Sequence, residues 1–530
     1  MIEDKFFGRK QYLDIIEKRV IGLLSGYRQN LAIVGDELVG KTSIIYEFLS
    51  KYYDNKVIFI YIQARPETLN SFAKRFIGVL LYNFLSGSGL ELKEDLNFLI
   101  DKSAKFIPQT IEKIKLILNS LEKRKKNNIL TELFSLSELI NSETSKSSVV
   151  IFDEFNNLES LGIKNLYQEW SKLLMTQKNT MYIIVSSAKF KTRSILSKNL
   201  SLLFGNFEVF EVEPFDIKTS GYYLSQANEV LNLNNGLRDF IVHFSGGYPF
   251  YLKLIRDTLL KAVNPDLASV LQGLLFESSG ILNQRFSNYL KRFLDSPSSQ
   301  QYLSILYLVA CGHNRLKDIA HIEHKTQKEL NQKINSLLEI DAITRLGDFL
   351  KINDRVFSFW LKFVYQEKLN SLTFDAKNQK AIFRGYIESG INEFLVSSQM
   401  PLMERITEVL RQFSDDTIQI EQKRMRLNHF REIKPLEFNN KNLKEGLIGR
   451  SHDSLWIMAF KNDSLTEDYV ADFSKECKRY RNKTQRKIII ALKDIDANAR
   501  LRALEERILT WDLNNLNQIL DLFSKPRVIV

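Results

Sequence analysis

The residues with the clearest chemistry lie in one short stretch, Gly35-Asp-Glu-Leu-Val-Gly40-Lys41-Thr42, with Ser43 directly after it. Two glycines let a backbone loop curl so that successive N–H groups point at one place, and a helix starting behind the second glycine adds the positive end of its dipole. A lysine at the next position can reach β and γ phosphates, and the threonine hydroxyl after it can ligate Mg²⁺. A second stretch, Ser148-Val-Val-Ile-Phe-Asp153-Glu154, ends an apolar run in two adjacent carboxylates. Asp153 would hold Mg²⁺ through its water shell, and Glu154 would orient or activate an attacking water. Together the two stretches predict binding and hydrolysis of ATP with Mg²⁺.

These residues need a frame. Residues 29–34 are apolar and precede the glycine loop, and residues 43–50 have helical character, which is the strand–loop–helix context the motif requires. Further apolar runs at 56–63, 148–155 and 181–187 alternate with helical stretches, so the expected fold class is α/β. Its core would be a parallel sheet with helices on both faces and the nucleotide at the carboxyl ends of the strands. The run at 181–187 ends in two hydroxyls, Ser186 and Ser187.

With 530 residues the chain exceeds one hydrophobic core, and a composition of 44% hydrophobic and 26% charged residues, 22 Gly and 9 Pro suits a helix-rich globular protein. No apolar run approaches a membrane span, and the opening MIEDKFFGRK lacks the apolar core of a signal peptide, so a cytoplasmic location is expected and no membrane partner. Two cysteines exclude a disulfide framework. Cys311 stands near His313, His321 and His324, but the spacing matches no zinc pattern and reads better as a helix end. The net charge of +11, from 74 Lys and Arg against 63 Asp and Glu, favours polyanions such as nucleic acid.

On these motifs the chain resembles the archaeal and bacterial STAND-type ATPases of the AAA+ superfamily, P-loop enzymes followed by a winged helix and a nuclease-like domain. Phe7-Gly8-Arg9-Lys10 is similar to that family's entry motif, which implies that the backbone at Gly8 and Arg9 flanks the adenine. Gly246-Gly247-Tyr248-Pro249 is similar to the turn of its helical lid, which implies a cofactor contact near Pro249. The segment 351–364, with Phe359-Trp360, resembles its wing-and-helix. The resemblance also implies a sensor hydroxyl at Ser186 or Ser187; Ser187 is carried forward with Glu154 as a catalytic candidate. It implies an arginine finger where this chain has Leu203-Phe204-Gly205-Asn206. Asn206 has no charge for a role that contributes roughly 10³–10⁵ in rate, so slow hydrolysis is expected. Arg193 is an alternative finger, although a solvated helix charge is the simpler reading.

The expected domains are an ATPase core at 1–215, a helical lid at 216–290, a winged helix-turn-helix at 291–375 and a restriction-endonuclease-like domain at 376–530. The winged module rests on helical patterns from Tyr302, Leu316 and Lys328 and a hairpin from Ile343, and a DNA-binding version would present Gln327, Lys328, Gln332 and Lys333. Polar residues around 370–400 suggest a linker or domain edge. Strands are expected at 455–460, 487–492 and 527–530, after a helix from Pro401. Asp453 and Lys461 fit a nuclease motif whose glutamate position is Ala459, so that domain is expected to be degenerate. The basic run 475–487 suits a phosphate backbone or a solvated helix face.

The leading functional reading is a nucleotide-dependent switch engaging DNA, a protein partner or another copy of the chain. An ATP-gated nuclease is the alternative, and a scaffold that binds nucleotide without turnover is the third.

Overall fold

The computed structural model describes residues 6–123, 128–200, 207–227, 233–262, 266–294, 299–365, 376–420, 423–440, 442–480 and 484–530. Asn206 with the rest of 203–206, part of the polar stretch after 370, and 481–483 of the basic run lie outside the described residues. The chain divides into two compact units, Met1–Pro214 with Glu339–Asp341, and Phe215–Leu338 with Ala342–Val530.

The first unit alternates helix and strand: α1 (Lys10–Leu24), β1 (Asn30–Val34), α2 (Lys41–Lys51), β2 (Val57–Gln63), α3 (Leu69–Leu85), α4 (Leu96–Ser103), α5 (Pro108–Glu122), α6 (Ile129–Thr144), β3 (Ser147–Asp153), α7 (Leu166–Thr176), β4 (Thr180–Ser186), α8 (Lys189–Lys198) and β5 (Phe207–Glu211). All strand pairings are parallel, in the order β2-β3-β4-β1-β5. This is the expected α/β class, a parallel sheet with helices connecting its strands. The inner strands β1, β3 and β4 are buried along their whole length, which is why they read as unbroken apolar runs. Four helices, α3 to α6, stand between β2 and β3. The apolar face of α6 meets the sheet in an aromatic cluster, where Trp170 of α7 lies 5.6 Å from Phe134 of α6 and 5.7 Å from Phe152 of β3.

The second unit opens with helices α9 (Ile217–Ser225), α10 (Asn235–Ser245), α11 (Pro249–Lys261), α12 (Leu267–Leu275) and α13 (Ile281–Leu294). Both glycines of the turn before α11 are left-handed, Gly246 at φ 64° and Gly247 at φ 82°. A Cβ on Gly247 would stand 2.1 Å from the Phe215 carbonyl, whose own N–H donates to the Gly247 carbonyl at 2.8 Å, so only glycine allows this closure. Then come α14 (Ser299–Ala310), α15 (Leu316–Ile322), α16 (Gln327–Glu339) and a hairpin of β6 (Ile343–Leu346) and β7 (Phe349–Ile352), the elements that the periodicity predicts. Helix α17 (Arg355–Trp360) runs on into a π turn, Leu361–Tyr365.

The linker expected around 370–400 is corrected: Ala376–Gln399 is one helix, α18. Phe383, Ile387, Ile391 and Phe394 are buried at helical spacing, with Phe394 5.8 Å from Phe240 on α10 and Phe383 5.4 Å from Phe276 behind α12. Its polar residues are the solvent face of an amphipathic helix, which composition alone does not separate from a linker.

The remaining elements are α19 (Leu402–Leu410), a hairpin of β8 (Asp416–Ile420) and β9 (Lys423–Leu427), β10 (Glu432–Glu437), β11 (Glu445–Arg450), β12 (Ser454–Lys461), α20 (Glu467–Cys477), β13 (Thr484–Ala491), α21 (Ala497–Glu505), β14 (Ile508–Trp511) and α22 (Leu513–Leu522). Strands β10 to β14 form one sheet in sequence order, antiparallel as far as β12 and parallel beyond it. The strand expected at 527–530 is absent. The Asn517 side chain there donates to the Val528 carbonyl at 2.9 Å and accepts from its N–H at 2.7 Å, taking the groups a ladder would use. Among the described residues, no helix is long and apolar enough to cross a membrane.

Candidate nucleotide-binding site

The glycine loop leaves β1 at Gly35, where a Cβ would stand 2.4 Å from the Val212 carbonyl. The chain beyond β5 crosses that close because the Val212 N–H donates to the Val34 carbonyl at 2.7 Å. The loop ends at Gly40, left-handed at φ 92°, with open space beside its Cα. Helix α2 begins at Lys41 without a side-chain cap, so the N–H groups of its first turn, those of Lys41, Thr42 and exposed Ser43 among them, have no partner within the helix. Lys41 is 5% exposed, and its Nζ donates to the carbonyls of Gly35 at 3.0 Å and Asp36 at 2.7 Å. Burial lowers its pKa, opposed by Glu154, Asp153, Asp36 and Glu37.

Asp153 is the last residue of β3 and is buried. Its Oδ2 accepts from the Thr42 hydroxyl at 2.7 Å and the Tyr61 hydroxyl at 2.9 Å, while Oδ1 accepts from the Glu154 N–H at 2.9 Å. Glu154 has already left the strand, at φ 50° and ψ 44°, and heads a 3-10 turn, Phe155–Leu161. Its carboxylate accepts from the Ser187 hydroxyl at 3.0 Å. Burial raises the Glu154 pKa, and the Ser187 bond opposes that rise. Because β4 lies between β1 and β3, the residue after β4 falls between the glycine loop and the two carboxylates. That residue is Ser187. Ser186 is wholly buried, accepts from the Asn156 amide and the Ala188 N–H, and shapes the turn.

The entry segment docks onto the same loop. Gly8 and Arg9 are both left-handed, at φ 64° and 68°, and the Arg9 guanidinium donates to the Val39 carbonyl at 3.2 Å. Two further residues, absent from the sequence reading, belong here. Tyr61 reaches Asp153 from the neighbouring strand, a contact that becomes visible only once β2 and β3 are paired in register. Lys189 places its Nζ 2.8 Å from Asp36 and 3.1 Å from Glu211, tying the glycine loop to the end of β5. Arg193 pairs with Glu211 and is 57% exposed, as a solvated helix charge would be.

Pro249 belongs to the second unit, where it opens α11. In that unit Asp453 precedes β12 and Lys461 ends it. Along eight residues at roughly 3.3 Å each, the two lie about 26 Å apart, too far for Lys461 to steady the hydroxide or phosphate at a metal ion held by Asp453. The sequence placement of both as nuclease residues is corrected on that ground; Ala459 is buried in the same strand. Asp453 pairs loosely with Arg426 at 3.6 Å, and Lys461 sits over the Tyr469 ring at 5.1 Å. On α16, Gln327, Lys328 and Gln332 are exposed, whereas Lys333 lies over the Tyr302 ring at 5.0 Å.

The residues around the glycine loop fit a triphosphate with Mg²⁺. Among the described residues the Lys41 ammonium hydrogen-bonds only loop carbonyls, and the Thr42 and Asp153 oxygens stand together as a hard cation requires. Among the described residues no group of three or more His, Cys, Asp or Glu could hold a metal by itself, so a cation at Asp153 would depend on phosphates and waters, as Mg²⁺ commonly does.

Residues 6–255 match the sequence profile of a family described as an ATPase domain predominantly from Archaea. No curated protein matches the chain. Among solved structures, the chain is similar in fold to the Walker-type ATPase PABY2304 of Pyrococcus abyssi, with 20% identity over 68% of this chain and 97% of that one, at a TM-score of 0.50. It also aligns with the ORC2 protein of Aeropyrum pernix, in ADPNP and ADP complexes, with 11% identity over 74% of this chain and 97% of that one. The TM-score there is 0.40.

Proposed function

Starting from an ATPase domain at residues 6–255, we propose that this chain binds ATP with Mg²⁺ at the Gly35–Thr42 loop, hydrolyses it slowly, and uses the nucleotide state as a switch toward a partner. The observation that carries the reading is the convergence of Lys41, Thr42, Asp153, Glu154 and Ser187 at one end of the parallel sheet.

Lys41 would exchange the Gly35 and Asp36 carbonyls for the β and γ phosphates, while the N–H groups from Gly40 to Ser43 cradle the anion. Thr42 and Asp153 would hold Mg²⁺, whose charge neutralises the phosphate oxygens as the bond to the leaving group breaks. Glu154 would accept a hydrogen bond from the attacking water and set its line of approach. Ser187, now bonded to Glu154, would hand that carboxylate to the water and meet the γ phosphate. The entry segment at Gly8 and Arg9 would flank the adenine, with Pro249 in the lid. Asn206 in place of a finger arginine supports slow turnover. The same reading assigns 216–290 to the lid, 291–375 to a winged helix-turn-helix and 376–530 to a nuclease-like fold without its metal site. The separation of Asp453 from Lys461 weighs against the ATP-gated nuclease.

A direct test measures ATP turnover by the full chain beside Glu154→Gln, together with fluorescence anisotropy of a labelled duplex in the presence of ATP or ADP. Turnover lost in Glu154→Gln, with duplex affinity that depends on the nucleotide, supports a DNA-directed switch. Duplex binding through a basic surface would weaken with salt at a log–log slope of about −0.9 per phosphate contacted. Nucleotide-independent anisotropy would move the switch to a protein partner, and turnover equal in both chains would remove Glu154 from hydrolysis.

A further inference from the structure

The second unit contains a charge imbalance that its own residues do not neutralise. Asp521, whose side chain is 2% exposed, is shared by three cations: Lys351 at 2.9 Å, Arg527 at 2.7 Å, and Arg355. Arg355 also meets His243, which accepts from the Arg527 N–H at 3.2 Å. Burial, with Arg355 and Arg527 alongside, holds His243 well below its ordinary pKa, so it supplies no further charge. The Nε of Arg355 is buried and has no hydrogen-bond partner among the described residues. One carboxylate faces three cations whose side chains are only 20–23% exposed, so the cluster keeps a net positive charge with limited access to water.

Of these groups, His243, Lys351, Arg355 and Asp521 line a cavity of about 410 Å³, within the range of roughly 300–1,000 Å³ typical of small-molecule sites. Four cationic side chains reach its wall, Lys351, Arg355, Lys362 and Lys525, against two carboxylates, Asp521 and Glu393. Lys525 is already paired with Glu408 at 2.9 Å. One helical face supplies much of the wall. Arg355, Phe359, and then Lys362 with Phe363 follow one another at about one-turn intervals, so a cation, a ring and a second cation succeed each other along it. The Phe363 ring lies 4.7 Å from that of Tyr386, a further wall residue, at a tilt of 32°. The last part of this face is the π turn Leu361–Tyr365, a rare conformation that recurs at functional sites.

We propose that this cavity binds a nucleotide, its phosphate held by Arg355 and Lys362 and its base among Phe359, Phe363 and Tyr386. The nucleotide is either free or part of a single strand, since both present a phosphate beside a flat ring. A carboxylate metabolite would satisfy the cations without using the rings, and an apolar ligand would leave the cations uncompensated.

The test uses the full chain carrying Lys41→Ala, which removes the glycine-loop lysine, and isothermal titration with AMP, pyrophosphate and a short single-stranded oligonucleotide. AMP should bind one-to-one. Lys362→Glu should weaken that binding about tenfold or more, as expected for a charge-assisted phosphate contact. Glu393→Gln, which removes a repelling carboxylate, should strengthen it a few-fold. Both positions lie at the surface of the unit, Glu393 exposed and Lys362 half-buried, so neither change threatens the fold. An oligonucleotide that binds more tightly than AMP, with the same response to both substitutions, makes a single strand the source of the ligand. The proposal is overturned by absence of saturable binding of AMP and oligonucleotide at millimolar concentration, by binding indifferent to both substitutions, or by pyrophosphate binding as tightly as AMP, which would leave the rings without a role.

Discussion

The Thr42 hydroxyl donates to Oδ2 of Asp153 at 2.7 Å, joining residues 111 apart in sequence. The same oxygen accepts from Tyr61 at 2.9 Å, so two hydroxyls hold the carboxylate facing the start of α2. For the hydrated Mg²⁺ proposed at this pair, neither oxygen would have to travel far.

Thr42→Ala should therefore weaken ATP binding in the presence of Mg²⁺ by about tenfold, the cost of losing one oxygen contact of roughly 1–1.5 kcal/mol. Affinity for ATP in excess chelator should barely change. Titration calorimetry under both conditions distinguishes these, and equal losses in the two would mean that Thr42 serves the loop rather than the metal.

Lys41→Ala should reduce ATP affinity by roughly 10- to 100-fold, since a charge-assisted contact to phosphate contributes about 1.5–3 kcal/mol. The same change frees the Gly35 and Asp36 carbonyls to water, so the fold should tolerate it. Circular dichroism checks the second point, and an affinity unchanged within twofold refutes the first.

How much of this site is legible in the sequence depends on locality. The Gly35–Thr42 loop and the Asp153-Glu154 pair are contiguous, and their chemistry follows from residue type and spacing. The choice between Ser186 and Ser187 is not local: it rests on which hydroxyl the end of β4 turns toward Glu154. Tyr61 and Lys189 escape sequence reading for the same reason, since strand pairing and a β5 contact create their partners. In the second unit, Asp453 and Lys461 suggest one metal site by proximity in sequence. An extended strand separates them, because spacing along a strand is distance, whereas on a helix it can be adjacency. Helix α18 is hidden by its polar face, although Phe383, Ile387, Ile391 and Phe394 already carry the helical period.

Glu154→Gln should keep ATP affinity and remove most turnover, because the amide preserves size but accepts no proton from water. Ser187→Ala should slow turnover more modestly, since it loses one hydrogen bond to Glu154 and leaves the carboxylate in place. Single-turnover assays at saturating ATP order the three chains as wild type, Ser187→Ala, Glu154→Gln. Inverting the last two would give Ser187 the larger role.

Gly35→Ala tests the packing beneath the loop. The new methyl would meet the Val212 carbonyl at 2.4 Å, a backbone atom held by its own ladder bond and unable to swing away. Overpacking of this kind costs about 1–3 kcal/mol. Thermal unfolding should show the first unit melting earlier, with ATP restoring less of the loss than in wild type because the loop itself is displaced. A transition and affinity both equal to wild type would mean that β5 gives way freely.

The last prediction concerns Asp521, the carboxylate shared by Lys351, Arg355 and Arg527. Burial alone would raise its pKa, but the three cations overcome that and hold it well below the ordinary carboxylate range. The sign follows from linkage: a group with a lowered folded pKa stabilises the fold above its unfolded pKa of about 3.9, and that stability fades as pH falls toward the folded value. Asp521→Asn leaves three cations without their counter-charge, so it should destabilise the second unit by about 3–5 kcal/mol at neutral pH. Urea unfolding followed by tryptophan fluorescence can read this, because Trp360, Trp456 and Trp511 lie in that unit and Trp170 in the other. The difference between wild type and Asp521→Asn should be constant from pH 7 down to about pH 5 and should narrow below pH 4, as the wild-type carboxyl takes up its proton. A difference under about 1 kcal/mol at pH 7 would mean that water already screens the cluster. A difference that widens in acid would reverse the assigned direction of the shift.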